Sequence, residues 1–303
     1  MSYHIPVLLK QSVEGLNIQA GGIYVDVTFG GGGHARSIFE QMEQGTLIAF
    51  DQDPDASRNT TSFESDAQRS FIFVPSNFRH LKRYLKFHKI DKVDGILADL
   101  GVSSHQFDQQ SRGFSTRFDG ALDMRMNQVS AITAAKVVNE YSEEDLIQLL
   151  SRYGEIRNAK RLAAEIISAR AIAPIYTTAA LRAIAMKSAP NGKHAKYSAQ
   201  LFQAIRIEVN DEINALKEFL IQSKDVLKVG GRLVIISYHS LEDRLAKFLI
   251  NTGNLEGILE KDFFGNVIRA FEPIKGRLIT PAENEIALNN RARSAKLRIG
   301  IKN

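Results

Sequence analysis

The stretch G-G-I-Y-V-D-V-T-F-G-G-G-G-H, Gly21 to His34, decides the fold. Ile23, Tyr24 and Val25 read as a short buried strand ending in Asp26, and the four glycines Gly30 to Gly33 open a helix. Glycine lets the backbone turn tightly there and lets a ligand approach the helix N-terminus with no Cβ in the way. A second apolar strand, Leu47 to Phe50, ends in Asp51. That separation, about 20 residues, is the one at which a βαβ unit brings a carboxylate to the ribose hydroxyls of an adenosine. The order of strand, acid, glycine turn, helix, strand and acid describes a nucleotide-cofactor pocket.

The spelling G-x-G-x-x-A from Gly30 to Ala35 also fits a dinucleotide binder. Asp26 argues against that reading, because a carboxylate at the end of the first strand would lie beside a dianionic pyrophosphate with nothing to compensate it. The same carboxylate suits a cofactor carrying an ammonium and a sulfonium. S-adenosylmethionine is therefore favoured over NAD or FAD.

The 303 residues carry 39 Lys and Arg against 34 Asp and Glu, a formal charge of +5 that fits a nucleic-acid partner without demanding one. The chain has no cysteine, which removes disulfides, thiolate-bound zinc, iron-sulfur clusters and every mechanism with a thiolate nucleophile. Methylation at pyrimidine C5 through a cysteine adduct is excluded with them. The amino end, Met1 to Leu9, is too short and polar for a signal peptide, and no run of about 18 apolar residues suggests a membrane span. The expectation is a cytoplasmic protein with no membrane partner.

Strands near Ile23 to Val27, Leu47 to Phe50, Phe71 to Val74 and Val93 to Leu100 alternate with polar helical segments, the pattern of a parallel sheet with crossover helices. From about Phe107 the period changes to that of amphipathic helices: one after Ser142 stopping at Gly154, one from Ile156 to Ile167, a third from Thr178 to Met186. A long helix carrying Leu201, Ile205, Val209, Ile213, Leu216 and Leu220 then leads through Gly230 and Gly231 into a buried strand, Leu233 to Ser237. A last strand near Ala295 to Ile301 closes the sheet. The predicted fold is α/β, a Rossmann-like sheet in two parts, 1–107 and 200–303, with an all-α domain inserted at 108–199.

Ligands bind such sheets at the carboxyl ends of strands. After the fourth strand stands Asp99 in A-D-L-G-V-S-S-H-Q, and after the fifth S-Y-H-S-L-E-D-R, Ser237 to Arg244. Helix capping accounts for Ser240 and Asp243 in the second run but not for Tyr238 and His239.

With H-I-P-V-L-L at His4, D-V-T-F-G-G-G-G-H at Asp26, D-L-G-V-S-S at Asp99, R-G-F-S at Arg112, L-D-M-R-M at Leu122, F-Q-A-I-R-I-E-V-N-D-E at Phe202, S-Y-H-S-L-E-D-R and N-R-A-R-S-A-K-L-R at Asn290, the chain resembles the RsmH (MraW) family across nearly its whole length. The resemblance implies an S-adenosylmethionine-dependent methyltransferase acting on cytosine N4 of one decoding-region cytidine in 16S ribosomal RNA, within the small subunit. Carried over by position, the cofactor contacts fall on Gly32, Gly33, His34, Asp51, Phe78, Asp99 and Gln106, joined by Asp26 from the residue reading. His239, Asp99 and Ser237 form the candidate catalytic set, with His239 as proton acceptor near neutrality. No metal is needed, because the leaving group departs as a neutral thioether.

Two departures from the family pattern stand out. The all-glycine turn predicts a mobile loop, and H-A-K-Y-S-A-Q-L at His194 replaces a common H-P-A-T-R-T run, leaving Lys193, Lys196 and Tyr197 as substitute phosphate and stacking residues. Arg112, Arg117, Arg125, Arg157, Lys160, Arg161, Arg291, Arg293, Lys296 and Arg298 are the candidate RNA surface. The rival readings are a Rossmann oxidoreductase and a non-catalytic RNA-binding assembly factor.

Overall fold

The computed structural model describes residues 6–274 and 278–303; His4 and Ile5 of the amino-terminal motif lie outside them. In chain order the strands are β1 (Gly22–Asp26), β2 (Gly45–Phe50), β3 (Arg69–Val74), β4 (Val93–Asp99), β5 (Leu227–Ser237), β6 (Glu260–Lys261), β7 (Val267–Ile268), β8 (Phe271–Pro273) and β9 (Lys296–Lys302). The helices are α1 (Leu9–Leu16), α2 (Gly33–Gln41), α3 (Leu81–Phe87), α4 (Ser104–Asp108), α5 (Ala134–Glu140), α6 (Glu143–Gly154), α7 (Ala159–Ile172), α8 (Thr178–Ser188), α9 (His194–Asn210), α10 (Glu212–Val226), α11 (Ser240–Thr252) and α12 (Glu283–Leu288).

The main sheet runs β3-β2-β1-β4-β5-β9-β8, with β3 to β5 parallel and β9 and β8 antiparallel at the edge. Strand order reverses between β1 and β4, so the carboxyl ends of these two strands, Asp26 and Asp99, flank the switch point where doubly wound sheets bind ligands. The parallel strands are apolar on both faces because helices cover both. Leu47, Ala49, Leu97, Val234, Ile236 and Leu297 are fully buried in one cluster with Ile38 and Phe39 of α2. Phe29, Phe63, Phe71 and Phe73 pack ring against ring beside the glycine turn, Phe63 stacking on Phe71 at 4.3 Å. Burying one such side chain contributes about 1.5–3 kcal/mol.

The chain divides into two compact units, 1–101 with 213–303, and 102–212. The second unit is the inserted helical block, wider at both ends than the expected 108–199. Its own core is built by Met124, Leu146, Leu150, Leu162, Ile166, Leu181, Leu201 and Ile205. Ser142 caps α6 through the Asp145 N–H, and Thr177 caps α8 through that of Ala180. The long helix expected over Leu201 to Leu220 is two helices, because Asp211 takes a left-handed conformation (φ 49°) that ends α9. The β6–β7 hairpin and β8 are too short to leave an alternating pattern in the sequence.

Candidate active site

The glycine turn is tied by hydrogen bonds at both Gly30 and Gly32. The Gly30 N–H donates to Asp51 Oδ2 at 2.7 Å, the Gly30 carbonyl accepts from Asn59, and the Gly32 N–H closes onto the Phe29 carbonyl. Gly32 sits at φ 75° as the cap of α2, a conformation only glycine adopts without cost. At Gly33 a Cβ would lie 2.3 Å from Pro6 Cγ, whereas at Gly31 it would meet nothing within 4 Å. The turn is thus packed on one flank and open at Gly31.

Asp26 is buried, and only one of its oxygens is used. Oδ1 accepts from the Thr28 N–H at 3.0 Å and lies 3.4 Å from the Thr28 hydroxyl; Oδ2 is buried with no partner. Burial pushes its pKa up to about 6, against the pull of His34 and the Thr28 N–H. An orphaned carboxylate oxygen beside an open glycine turn fits the ammonium end of an amino acid cofactor. Asp51 is pushed up to about 6 by burial as well, although the N–H groups of Asp53 and Gly30 hold it down. With the N–H groups of Asp53, Gly30 and Gln52 on its two oxygens, one acceptor position remains for a ribose hydroxyl.

Asp99, at the end of β4, is tied through both its backbone and its carboxylate. Its backbone N–H donates to Thr28 Oγ1 at 2.7 Å, its Oδ1 accepts from the Tyr238 hydroxyl at 2.8 Å, and its Oδ2 lies 3.6 Å from His34 Nδ1. The far nitrogen of His34 meets the Val7 carbonyl at 3.1 Å and must donate to it, so Nδ1 of the neutral ring is an acceptor. Burial holds His34 below the ordinary histidine range, against the charge of Asp26. Asp99 is pushed up to about 7, chiefly by burial, with the Tyr238 hydrogen bond opposing and the charge of Glu242 adding. Thr28 and Tyr238 complete this group; the sequence singles out Tyr238 but not as the partner of Asp99, and does not single out Thr28, since nothing local reveals two partners 71 and 139 positions from Asp99.

The loop after β5 is arranged differently from its sequence reading. The cap of α11 is His239, not Ser240: its Nδ1 accepts from the Glu242 N–H at 3.5 Å. Glu242, itself buried, accepts from the Tyr238 N–H at 2.8 Å and brings Oε1 to 3.0 Å from His239 Nε2. Asp243 is an acid in the first turn of α11 and also grips Arg298 (2.7 Å) and Lys296 (3.2 Å) on β9. Burial favours its neutral form, yet those two cations hold its pKa below the usual range. The Ser237 hydroxyl is buried and donates to the Lys296 carbonyl of β9 at 3.4 Å.

The two remaining cofactor candidates have local partners of their own. Phe78 is half-buried with its ring edge-on to Phe219 at 5.5 Å, and its neighbour Asn77 is tied to Gln52 in the turn after β2. Gln106 belongs to the helical unit, where it is buried and forms a reciprocal capping box with Ser103 at the start of α4.

Several residues of the expected RNA surface are structural. Arg112 is buried and donates to the carbonyls of Arg125 and Met126; Arg125 forks onto Asp123; Tyr197 is buried with its hydroxyl on Asn158. Arg117, Arg157, Lys160, Arg161 and Arg293 are exposed.

Residues 1–303 match the model of the MraW methylase family. Proteins named ribosomal RNA small subunit methyltransferase H from Amoebophilus asiaticus and Cytophaga hutchinsonii are each 54% identical, over 99% and 98% of this chain and 96% and 98% of their own. The one from Flavobacterium johnsoniae is 54% identical over 100% of this chain and 98% of its own. An rRNA methylase from Streptococcus thermophilus superposes with a TM-score of 0.42 at 14% identity, covering 99% of this chain and 98% of that one, too distant to carry argument. Matched end to end by the family model and at 54% identity by whole-length relatives, this chain belongs to the MraW methylase family.

Proposed function

We propose that the protein methylates the N4 amine of a cytosine in small-subunit ribosomal RNA, using S-adenosylmethionine. The observation that carries this reading is the pairing of Asp26, whose buried Oδ2 is without a partner, with Asp99, poised near neutrality, across the β1–β4 switch point. When bound, the cofactor supplies an electrophilic methyl group on a sulfonium. Asp26 holds the ammonium, Asp51 the ribose hydroxyls, and the glycine turn leaves room for the chain between them.

An exocyclic amine is a poor nucleophile because its lone pair is delocalised into the ring, so acceptors must hold its N–H groups while the lone pair turns toward the methyl. Asp99 is that acceptor. Its pKa of about 7 also suits it to receive the proton shed once the alkylated amine becomes strongly acidic. Tyr238 orients the carboxylate through Oδ1. His239, first read as the base, has Nδ1 committed to the start of α11 and acts by placing Tyr238 through Glu242.

The test is methyl transfer from labelled cofactor to small subunits lacking the modification, with the product nucleoside identified. N4-methylcytidine is expected from the parental protein, and a rate at least about 100-fold lower from Asp99→Asn with cofactor affinity retained. A ribose-methylated or ring-carbon-methylated product overturns the reading.

A further inference from the structure

The amino ends of the strands, opposite the crevice, carry a second feature. Lys92 before β4, Lys224 at the end of α10, Lys228 at the start of β5, Lys302 at the end of β9 and Lys82 on α3 line an open groove of about 670 Å³. Lys82 pairs with Asp225 at 2.7 Å and Lys228 with Asp94 at 2.8 Å. The other three ammonium groups are held by main-chain oxygens: Lys92 by Asp225 (2.6 Å), Lys224 by Gly253 (2.9 Å) and Lys302 by Asn303 (2.7 Å). Internal peptide carbonyls orient a cation without neutralising it, so an excess of two positive charges, those of Lys92 and Lys224, remains.

Part of that excess has a local cause. Helices α10 and α11 end here, and each helix C-terminus presents about half a negative charge, roughly 1 in all. The remainder is not compensated, and it is extended rather than closed by α3. Lys82 and Lys86 share a face at i, i+4, and Arg83, Lys86 and Lys89 are exposed, with Asp91 alone among acids in the run Arg79 to Lys92. Phe87 is 76% exposed in the middle of this run, its ring edge-on to His88 at 5.1 Å. Neither core packing nor a helix cap places a phenylalanine there.

We propose that this groove and the basic run of α3 are a second ribosomal RNA contact, seating a stretch of phosphodiester backbone, with Phe87 stacking on an unpaired base. Fixed ammonium groups at spaced positions match a chain of phosphates, and an exposed aromatic beside them matches a base. Spaced cations with one exposed aromatic beside them fit a strand that offers phosphates and an unstacked base together, which a flat anionic membrane does not. β4 spans roughly 20 Å between this groove and Asp99, so the contact grips RNA remote from the reacting base. The proposal rests on the reading that ribosomal RNA is the substrate, but its test is separable from it.

Two double variants, Lys92→Gln/Lys302→Gln in the groove and Lys86→Gln/Lys89→Gln on α3, are compared with the parental protein on unmodified small subunits across salt concentrations. The α3 pair is exposed, so it carries the test if the groove pair fails to fold. Each pair should raise KM about tenfold near 0.15 M salt, leave kcat and cofactor affinity unchanged, and reduce the slope of log affinity against log salt by about 1.4 to 1.8. Phe87→Ala should raise KM with no change in slope. Unaltered KM and slope in both pairs overturn the proposal, as does a loss confined to binding of phosphatidylserine vesicles or of inorganic phosphate. Failure of the proposed chemistry would appear instead in the product of the parental protein.

Discussion

Asp26 carries the sharpest single-residue expectations. Its carboxyl titrates near 6 in the fold against an ordinary value of 3.8, so its penalty is absent below about pH 4, grows as pH rises to 6 and is constant above. Asp26→Asn should therefore stabilise the cofactor-free protein by on the order of 3 kcal/mol at pH 8 and hardly at all at pH 4, while weakening the cofactor severely. Denaturant unfolding at the two pH values, with calorimetric titration, checks both halves. Tyr238→Phe tests the neighbour. Loss of the hydroxyl removes the bond that lowers the Asp99 pKa, so the acid limb of the rate profile should move upward from about pH 7, with cofactor affinity unchanged. A profile that stays in place would detach Tyr238 from the chemistry. Asp26, Asp51 and Asp99 were legible because strand ends next to glycine turns are where acids meet ligands; Tyr238 as the partner of Asp99 was not, since nothing local joins residues on strands from opposite halves of the chain.

At the scale of elements, the strands and glycine turn could be read because apolar runs and glycines are local signals, and the helices of the insertion because their apolar positions recur at 3.6 residues. The break at Asp211 could not, since the apolar stripe continues through it. Nor could the α11 cap: Ser240 is the better cap by residue type, yet the chain leaves β5 so that His239 takes the position and Glu242 closes the box. This separates two roles of His239. His239→Asn preserves a side chain that caps, whereas His239→Ala removes the cap at about 1 kcal/mol. If His239 acts only by placing α11 and Tyr238, the asparagine variant should melt and methylate like the parent, and alanine should lose stability and some rate together. A 100-fold loss with asparagine at unchanged melting temperature would return the base assignment to the imidazole.

For the whole molecule, the distribution of titrating groups sets where pH acts. The sheet unit holds Asp26, Asp51 and Asp99 in one crevice, all pushed up by burial, to about 6, 6 and 7. The raised groups described in the helical unit are Arg125, held charged by Asp123, and the tyrosines Tyr141, Tyr153 and Tyr197, none of which changes its charge over the same range. Because raised carboxyl values mean stability lost as pH climbs from about 4 to 7, hydrogen exchange in the cofactor-free protein should speed up over that range in peptides from 1–101 and 213–303 and hold steady in those from 102–212, after correction for intrinsic rates. A cation seated on Asp26 favours the ionised carboxylate and lowers its pKa, so cofactor affinity should fall as pH drops below 6, by up to tenfold per unit. At a hundred times Kd the cofactor should return about 2.7 kcal/mol of protection to the sheet unit. Equal pH dependence in both units would place the destabilising charge outside the crevice, and cofactor affinity that is flat from pH 5 to 8 would remove Asp26 from the ammonium.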